Sequence, residues 1–170
     1  MVLLYVMTVL ADTVVYDIVS RILTAAQGAF TAKELKEFES YVSHGRAAED
    51  CCSLLVAYPT RFYPGFGITD SGQDMRAYAY VVDVTVSLRE CPPSVGPNGE
   101  PPSPKANDAY AELSASHAFR IVKALNCARR DGSLMPNGEC DFTVPPSAEI
   151  VEELGQCAGW DISLTAGLSS

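Results

Sequence analysis

The sequence predicts an α+β domain in which an antiparallel sheet of about four strands carries helices on one face, in the order α-β-β-α-β-β. Three observations lead there. Apolar residues recur at helical spacing in two separated stretches, 14–26 and 110–128. Period-two alternation marks the runs around 52–62, 78–89 and 160–168. A connection over 91–107 with six prolines and two glycines separates the first strand pair from the second helix. At 170 residues and 48% hydrophobic composition the chain has the material for one core, so residues 1–170 read as a single domain, with 1–10 a candidate N-terminal extension.

Val14, Val15, Ile18, Val19, Ile22 and Ala26 form the apolar stripe of the first helix, and Gly28 sits where it would stop. Thr31 to Glu34 has the form of a capping box ahead of Leu35, Phe38 and Tyr41, which predicts a short second helix; residues 43–50 then form a loop. From Cys52 the even positions Leu54, Val56, Tyr58 and Phe62 predict a half-buried strand, and Pro59 predicts an edge or a bulge in it. After a turn-rich loop, Tyr78, Tyr80, Val82, Val84, Val86 and Leu88 face one way, with Asp83, Thr85, Ser87 and Arg89 facing the other. These two strands should pair as an antiparallel hairpin.

Ser103 and Pro104 supply an N-cap and a first-turn proline for the long helix, whose predicted face is Tyr110, Leu113, His117, Ile121, Leu125 and Ala128. Strand segments follow around 140–154, interrupted by Pro145-Pro146-Ser147, and a tight turn is expected over Gly155 to Gly159. Trp160, Ile162, Leu164, Ala166 and Leu168 alternate with Asp161, Ser163 and Thr165 in the closing strand.

Composition narrows the function classes. A net charge of −9 argues against a groove that grips nucleic acid, which needs clustered Lys and Arg to neutralise phosphate. The apolar N-terminal run has no preceding basic residue, and Asp12 interrupts it well short of a membrane span, so neither a signal peptide nor a membrane helix is expected. Six cysteines, at 51, 52, 91, 127, 140 and 157, are expected to be reduced and mostly packed, because no secretion signal accompanies them.

The search for chemistry is short. Cys51 and Cys52 are adjacent and so point to opposite faces of a strand, which does not suit one metal ion, and zinc-type spacing is missing. His117 lies on an apolar stripe, the usual place for a satisfied interior histidine, and His44 beside Gly45 reads as solvated. No G-x-S-x-G elbow occurs, residues 65–67 are too short for a phosphate loop, and Glu149, Glu152 and Glu153 read as the wet face of a strand. The expectation is therefore no enzyme, no cofactor and no metal. Long proline- and glycine-rich loops at 64–75 and 91–104 point instead to contact with other chains.

The blocks Asp50-Cys51-Cys52, Tyr63-Pro64, Arg89-x-Cys91-x-Pro93 and Gly155-x-Cys157-Ala158-Gly159-Trp160 resemble a group of small virion proteins of tailed phages of actinobacteria. They span most of residues 48–168, and the element order is similar to the tail terminator fold of long-tailed phages. The resemblance implies a structural virion protein assembled in the host cytoplasm, a hexameric ring that caps the tail tube and joins it to the head. Its partners would be copies of itself, the tail-tube protein and a head-side connector or stopper protein. Genomic DNA would pass through the lumen without specific binding, and no membrane would be involved. Candidate interface residues are Pro59, Tyr63, Pro64, Phe66, Ile68, Pro93, Val95, Pro97, Pro101 and Trp160. The nearest alternative is another connector or stopper of the phage neck; a small host-type binding domain or a metal-binding enzyme is the alternative of a different class.

Overall fold

The computed structural model describes residues 2–45, 53–64, 80–134, 140–154 and 157–168. Helix α1 (Val2–Gln27) is followed by the single turn α2 (Ala32–Leu35) and the short strand β1 (Glu39–Val42). Then come β2 (Leu54–Pro64), β3 (Tyr80–Glu90), α3 (Pro104–Arg130), β4 (Cys140–Leu154) and β5 (Cys157–Leu168). The strands form one five-stranded sheet in the order β1-β2-β3-β5-β4. The α+β class holds, but the sheet is mixed where an all-antiparallel sheet was expected, because β1 runs parallel to β2. The predicted β2–β3 hairpin is present and antiparallel.

Both long helices pack on one face. Ile18, Val19, Ile22 and Ala26 of α1 and Ile121 and Leu125 of α3 meet Leu55, Ala57, Val82, Val84, Val86, Leu88, Ile162 and Leu164 of the sheet in one core. The even positions of β3 thus face the helices, as their alternation predicts. The odd positions face the other way, as that alternation also predicts, and there Thr85, Ser87 and Arg89 are buried too. They can be buried because each has a polar partner across the strands. Arg89 Nη2 donates to Asp161 Oδ1 at 2.8 Å, the Ser87 hydroxyl donates to the same oxygen, and Thr85 Oγ1 lies 3.3 Å from Ser163 Oγ. Leu54, Val56 and Tyr58, with Tyr41 against them, form a smaller apolar cluster on this second face. In β2 it is therefore Leu55 and Ala57, not the expected even positions, that enter the main core.

Four further expectations need correction. The capping box forms as predicted, with Thr31 N–H donating to Glu34 Oε2 at 2.7 Å, but the helix ends within one turn and Tyr41 belongs to β1. The Pro145-Pro146-Ser147 stretch does not divide β4; it produces register shifts within one strand, which the sheet edge tolerates because no described strand lies beyond it to require those N–H groups. Gly159 lies inside β5, paired with Arg89, and not in a turn. On α3 the buried face is Ser114, His117, Ala118, Ile121, Leu125 and Ala128, while Leu113 is exposed. The helix start is as predicted, with Ser103 capping Ala106 N–H ahead of Pro104.

Gly159 has a steric reason. A Cβ there would sit 1.9 Å from the Leu88 carbonyl oxygen, a backbone atom that cannot swing aside. Gly159→Ala should therefore destabilise the fold by about 2–4 kcal/mol, read as a lower urea midpoint with an unchanged slope.

Glu34 yields a second expectation. Its carboxylate receives both guanidinium nitrogens of Arg120 at 2.9 Å. Arg120 first, then the Thr31 backbone and hydroxyl, hold its pKa well below the ordinary carboxylate range. The unfolded chain takes up that proton at higher pH than the folded chain, so the contribution is complete above the ordinary carboxylate range and fades as pH falls toward the low folded value. Glu34→Gln should lower the melting midpoint at neutral pH, and the wild-type and variant curves should converge in acid.

Candidate subunit interface and the buried polar cluster

The predicted contact residues fall into two groups at opposite ends of the sheet. Pro59, Tyr63 and Pro64 lie toward the Tyr80 end of β3, and Trp160 pairs with Leu88 near the other end, where Pro93 follows. Eleven residues of β3 separate these ends by roughly 30 Å. Phe66 and Ile68 lie outside the described residues, as do Cys51 and Cys52.

At the first end, β1 pairs only with Leu54–Ala57, so beyond Ala57 no described strand borders the outer side of β2. A register shift between Pro59 and Arg61 follows at once, so the predicted edge and the predicted bulge coincide. The extra residue reverses the alternation. Phe62 thereby turns to the helix-bearing face, opposite Val82, and Arg61 to the second face, opposite Asp83. The result is an open groove of about 560 Å³ between α1 and this edge, lined by Val15, Tyr16, Val19, Val42, His44, Pro59 and Phe62 among others. Phe62 stacks on Tyr80 with ring centroids 5.2 Å apart, and both remain nearly half exposed, as does Tyr16. Arg61 lies at the rim, bonded to Asp83 at 2.9 Å and over the Tyr63 ring at 4.7 Å, with 70% of its side chain in solvent. Tyr63 is accordingly half-buried, and Pro64 is exposed.

The opposite edge of the sheet is β4. Ile150, which pairs with Trp160, projects with 71% of its surface exposed, and Glu149 beside it is exposed as well. Leu113 and Phe119 are exposed apolar residues of α3, the helix that packs against β4 and β5. In the long connection, Gly96 and Glu100 are joined by Gly96 N–H donating to the Glu100 carbonyl at 2.9 Å, and Gly99 takes a positive φ of 78° to make the turn. Val95, Pro97 and Pro101 are exposed there, whereas Pro93 is half-buried.

Trp160 is half-buried, with its indole N–H donating to Ser114 Oγ at 3.1 Å. That hydroxyl donates in turn to Glu90 Oε2 at 2.7 Å, and His117 Nδ1 lies 2.6 Å from Glu90 Oε1. Phe30 and Phe38 enclose the imidazole edge-on, with centroids 5.3 and 6.1 Å away. Glu90 stands between the hydroxyl and the imidazole, one oxygen to each, which orients both side chains and does not couple a nucleophile to a base. His117 is the satisfied interior group its apolar stripe suggests. The roles of Glu90 and Ser114 had no such signal, since Glu90 ends a strand and Ser114 is one small residue in a helix.

Among the described residues no three His, Cys, Asp or Glu side chains are arranged to hold a metal ion, and no helix is long and apolar enough to cross a membrane. No protein-family model and no curated protein matches the chain.

Glu90 ties α3 to β3 and β5 at one point. Glu90→Ala leaves a buried hydroxyl and a buried imidazole N–H without their acceptor and should cost about 2–4 kcal/mol in urea unfolding; Glu90→Gln, which keeps an acceptor oxygen, should cost less than half of that.

Proposed function

We propose that this chain is a structural subunit of a phage neck, the tail terminator, whose ring caps the tail tube and presents its other side to the head connector. One observation carries the ring: the sheet has two unlike edges. The β2 edge bears an apolar groove with the Arg61 guanidinium at its rim, and the β4 edge bears the projecting Ile150 with the Glu149 carboxylate beside it. A closed ring requires that kind of asymmetry, since one patch of each subunit must meet a different patch of the next. In this arrangement Ile150 of one protomer enters the groove of its neighbour, and Glu149 approaches Arg61. Proline interrupts both edges, at Pro59 and at Pro145-Pro146, which limits uncontrolled strand addition and leaves side-chain docking as the contact. The separate end of the sheet around Pro93, Val95, Pro97, Pro101 and Trp160 then serves the partner rings above or below. The resemblance of the sequence blocks supplies the phage assignment. The net charge of −9 supports a lumen that DNA passes without adhering.

The ring is tested by the mass of the purified chain, alone and with tail-tube protein, together with Phe62→Glu and Ile150→Glu. Either variant should reduce ring formation about tenfold or more, because burying a new carboxylate opposes the contact. Mixing the two variants should give capped dimers and no rings, since each retains one intact edge. Rings that persist in both variants would overturn the proposed contact. For the role itself, virions lacking the protein should carry tails of uncontrolled length; full-length tails detached from heads would transfer the assignment to a joining protein.

A further inference from the structure

The side of α3 turned away from the sheet carries a surface that neither sheet edge uses. At 3.6 residues per turn, Glu112, Ser116, Phe119 and Lys123 fall within about 60° of one another, on the opposite side of the helix from the buried Ile121, Leu125 and Ala128. All four are exposed, and Phe119 keeps 69% of its surface in solvent at the middle of the row. The outward side of a packed helix is ordinarily its polar side, so a large aromatic there contributes little to the core. The charges along this row are sorted about Phe119. Asp108 and Glu112 stand toward the helix N-terminus, Lys123 and Arg130 toward the C-terminus. Positions 108, 109, 115 and 116, one turn from Glu112, hold no cation, and positions 119, 120, 126 and 127, one turn from Lys123, hold no anion. Neither charge therefore has an opposite charge one turn away on its own helix. The nearby Arg120 is bonded to Glu34.

We propose that this side of α3 docks on the same side of α3 in a second copy of the chain, the two helices crossing antiparallel about a two-fold axis between Ser116 and Phe119. The axis sets Phe119 of each copy over Ser116 of the other, where the small side chain leaves room for the ring. It also sets Glu112 of each copy opposite Lys123 of the other, because Glu112 precedes Ser116 by as many residues as Lys123 follows Phe119. Two aromatic contacts and two ion pairs form at once, the self-complementary pattern of an isologous contact. The same axis relates Lys105 to Arg130, a like-charge pair at the helix ends. At the crossing angle of about 50° common among globular helix pairs, those ends diverge beyond the screening length while the central turns stay in contact. About three turns from each copy make a patch well below a standard interface, which fits a transient pairing with a dissociation constant on the order of 0.1 mM. Neither the β2 groove nor Ile150 takes part, so the contact stands whether or not the chain forms a ring.

The test is sedimentation equilibrium of the full-length chain carrying Phe62→Glu and Ile150→Glu, which removes the proposed edge contact, at concentrations about tenfold either side of the expected dissociation constant. A reversible dimer is expected, and added salt should weaken it. Phe119→Ala should weaken dimerisation about tenfold. Glu112→Lys and Lys123→Glu alone should each weaken it about fivefold, since each sets like charges face to face at two points. Combining the two reversals in one chain rebuilds the pairs with exchanged signs and should return the affinity to within about twofold of the parent. These positions are exposed, so melting midpoints should move by no more than about 2 °C, which separates lost contact from lost fold. A chain that stays monomeric throughout, including one that instead binds tail-tube protein through Phe119, would overturn the proposal. So would a dimer indifferent to Phe119→Ala, or a double reversal that does not restore what the single reversals lose.

Discussion

The fold depends on β3 being buried on both faces. A strand in that position has no solvent side on which to leave a polar group, so each residue must either pack or find a partner. Val82, Val84, Val86 and Leu88 pack under the helices. On the other face the requirement is met by pairing. Arg89, Asp161, Ser87 and Tyr58 form a continuous line, with Tyr58 Oη 3.3 Å from Ser87 Oγ, and Asp83 receives Arg61 and Thr165 further along. Such a line discriminates between registers more sharply than an apolar face, because a slip of two residues would preserve the apolar pattern but separate Arg89 from Asp161. The apolar face supplies most of the burial; the polar face selects one alignment of β2, β3 and β5.

Helix α3 is positioned by the same logic. Its stripe of Ala118, Ile121 and Leu125 could slide along the sheet at modest cost, since apolar contacts are weakly directional. Glu90 removes that freedom by accepting from Ser114 and binding His117, one turn apart on α3, while Trp160 reaches Ser114 from β5. The Glu34–Arg120 fork attaches the α2 turn to the middle of the same helix, and the Arg120 guanidinium covers the Phe30 ring. Directional contacts from Glu90, Trp160 and Glu34 therefore fix a helix whose apolar packing alone would leave its axial position loosely set.

What the sequence revealed follows the range of the forces involved. Local signals were legible: the Thr31–Glu34 capping box, the Ser103-Pro104 helix start and the alternation of β3 and β5 all formed as predicted. Pro59 marked a real bulge at an edge. The failures are nonlocal. Residues 39–42 become a strand because β2 offers them a parallel edge, which overrides the helical spacing of Leu35, Phe38 and Tyr41. Ser87 and Arg89 look like surface residues in one strand, and only Ser163 and Asp161, more than seventy positions away, show why the row can be buried. β4 survives two prolines because it is the outer strand, a property of the topology and not of its own residues. The groove was legible only through Pro59, since the tyrosines and phenylalanine around it come from three separate elements.

The two ends of the sheet are built differently, and the difference bears on what each can do. Around Glu90 and Trp160 the side chains are interlocked, and Gly159 lets β5 approach β3 closer than any other residue would permit. Around Pro59 the ladder is broken, β1 has ended, and three aromatic rings remain partly in solvent. A contact surface that must form after folding is best placed where edge groups are unclaimed and the backbone already departs from regular pairing, because docking there displaces few existing bonds. The interlocked end supplies the opposite property, a fixed frame against which the projecting Ile150 of β4 is held at a defined angle through its pairing with Trp160. The proposed head-to-tail ring uses these two unlike edges as its complementary halves, because error in the angle of each contact accumulates around a ring.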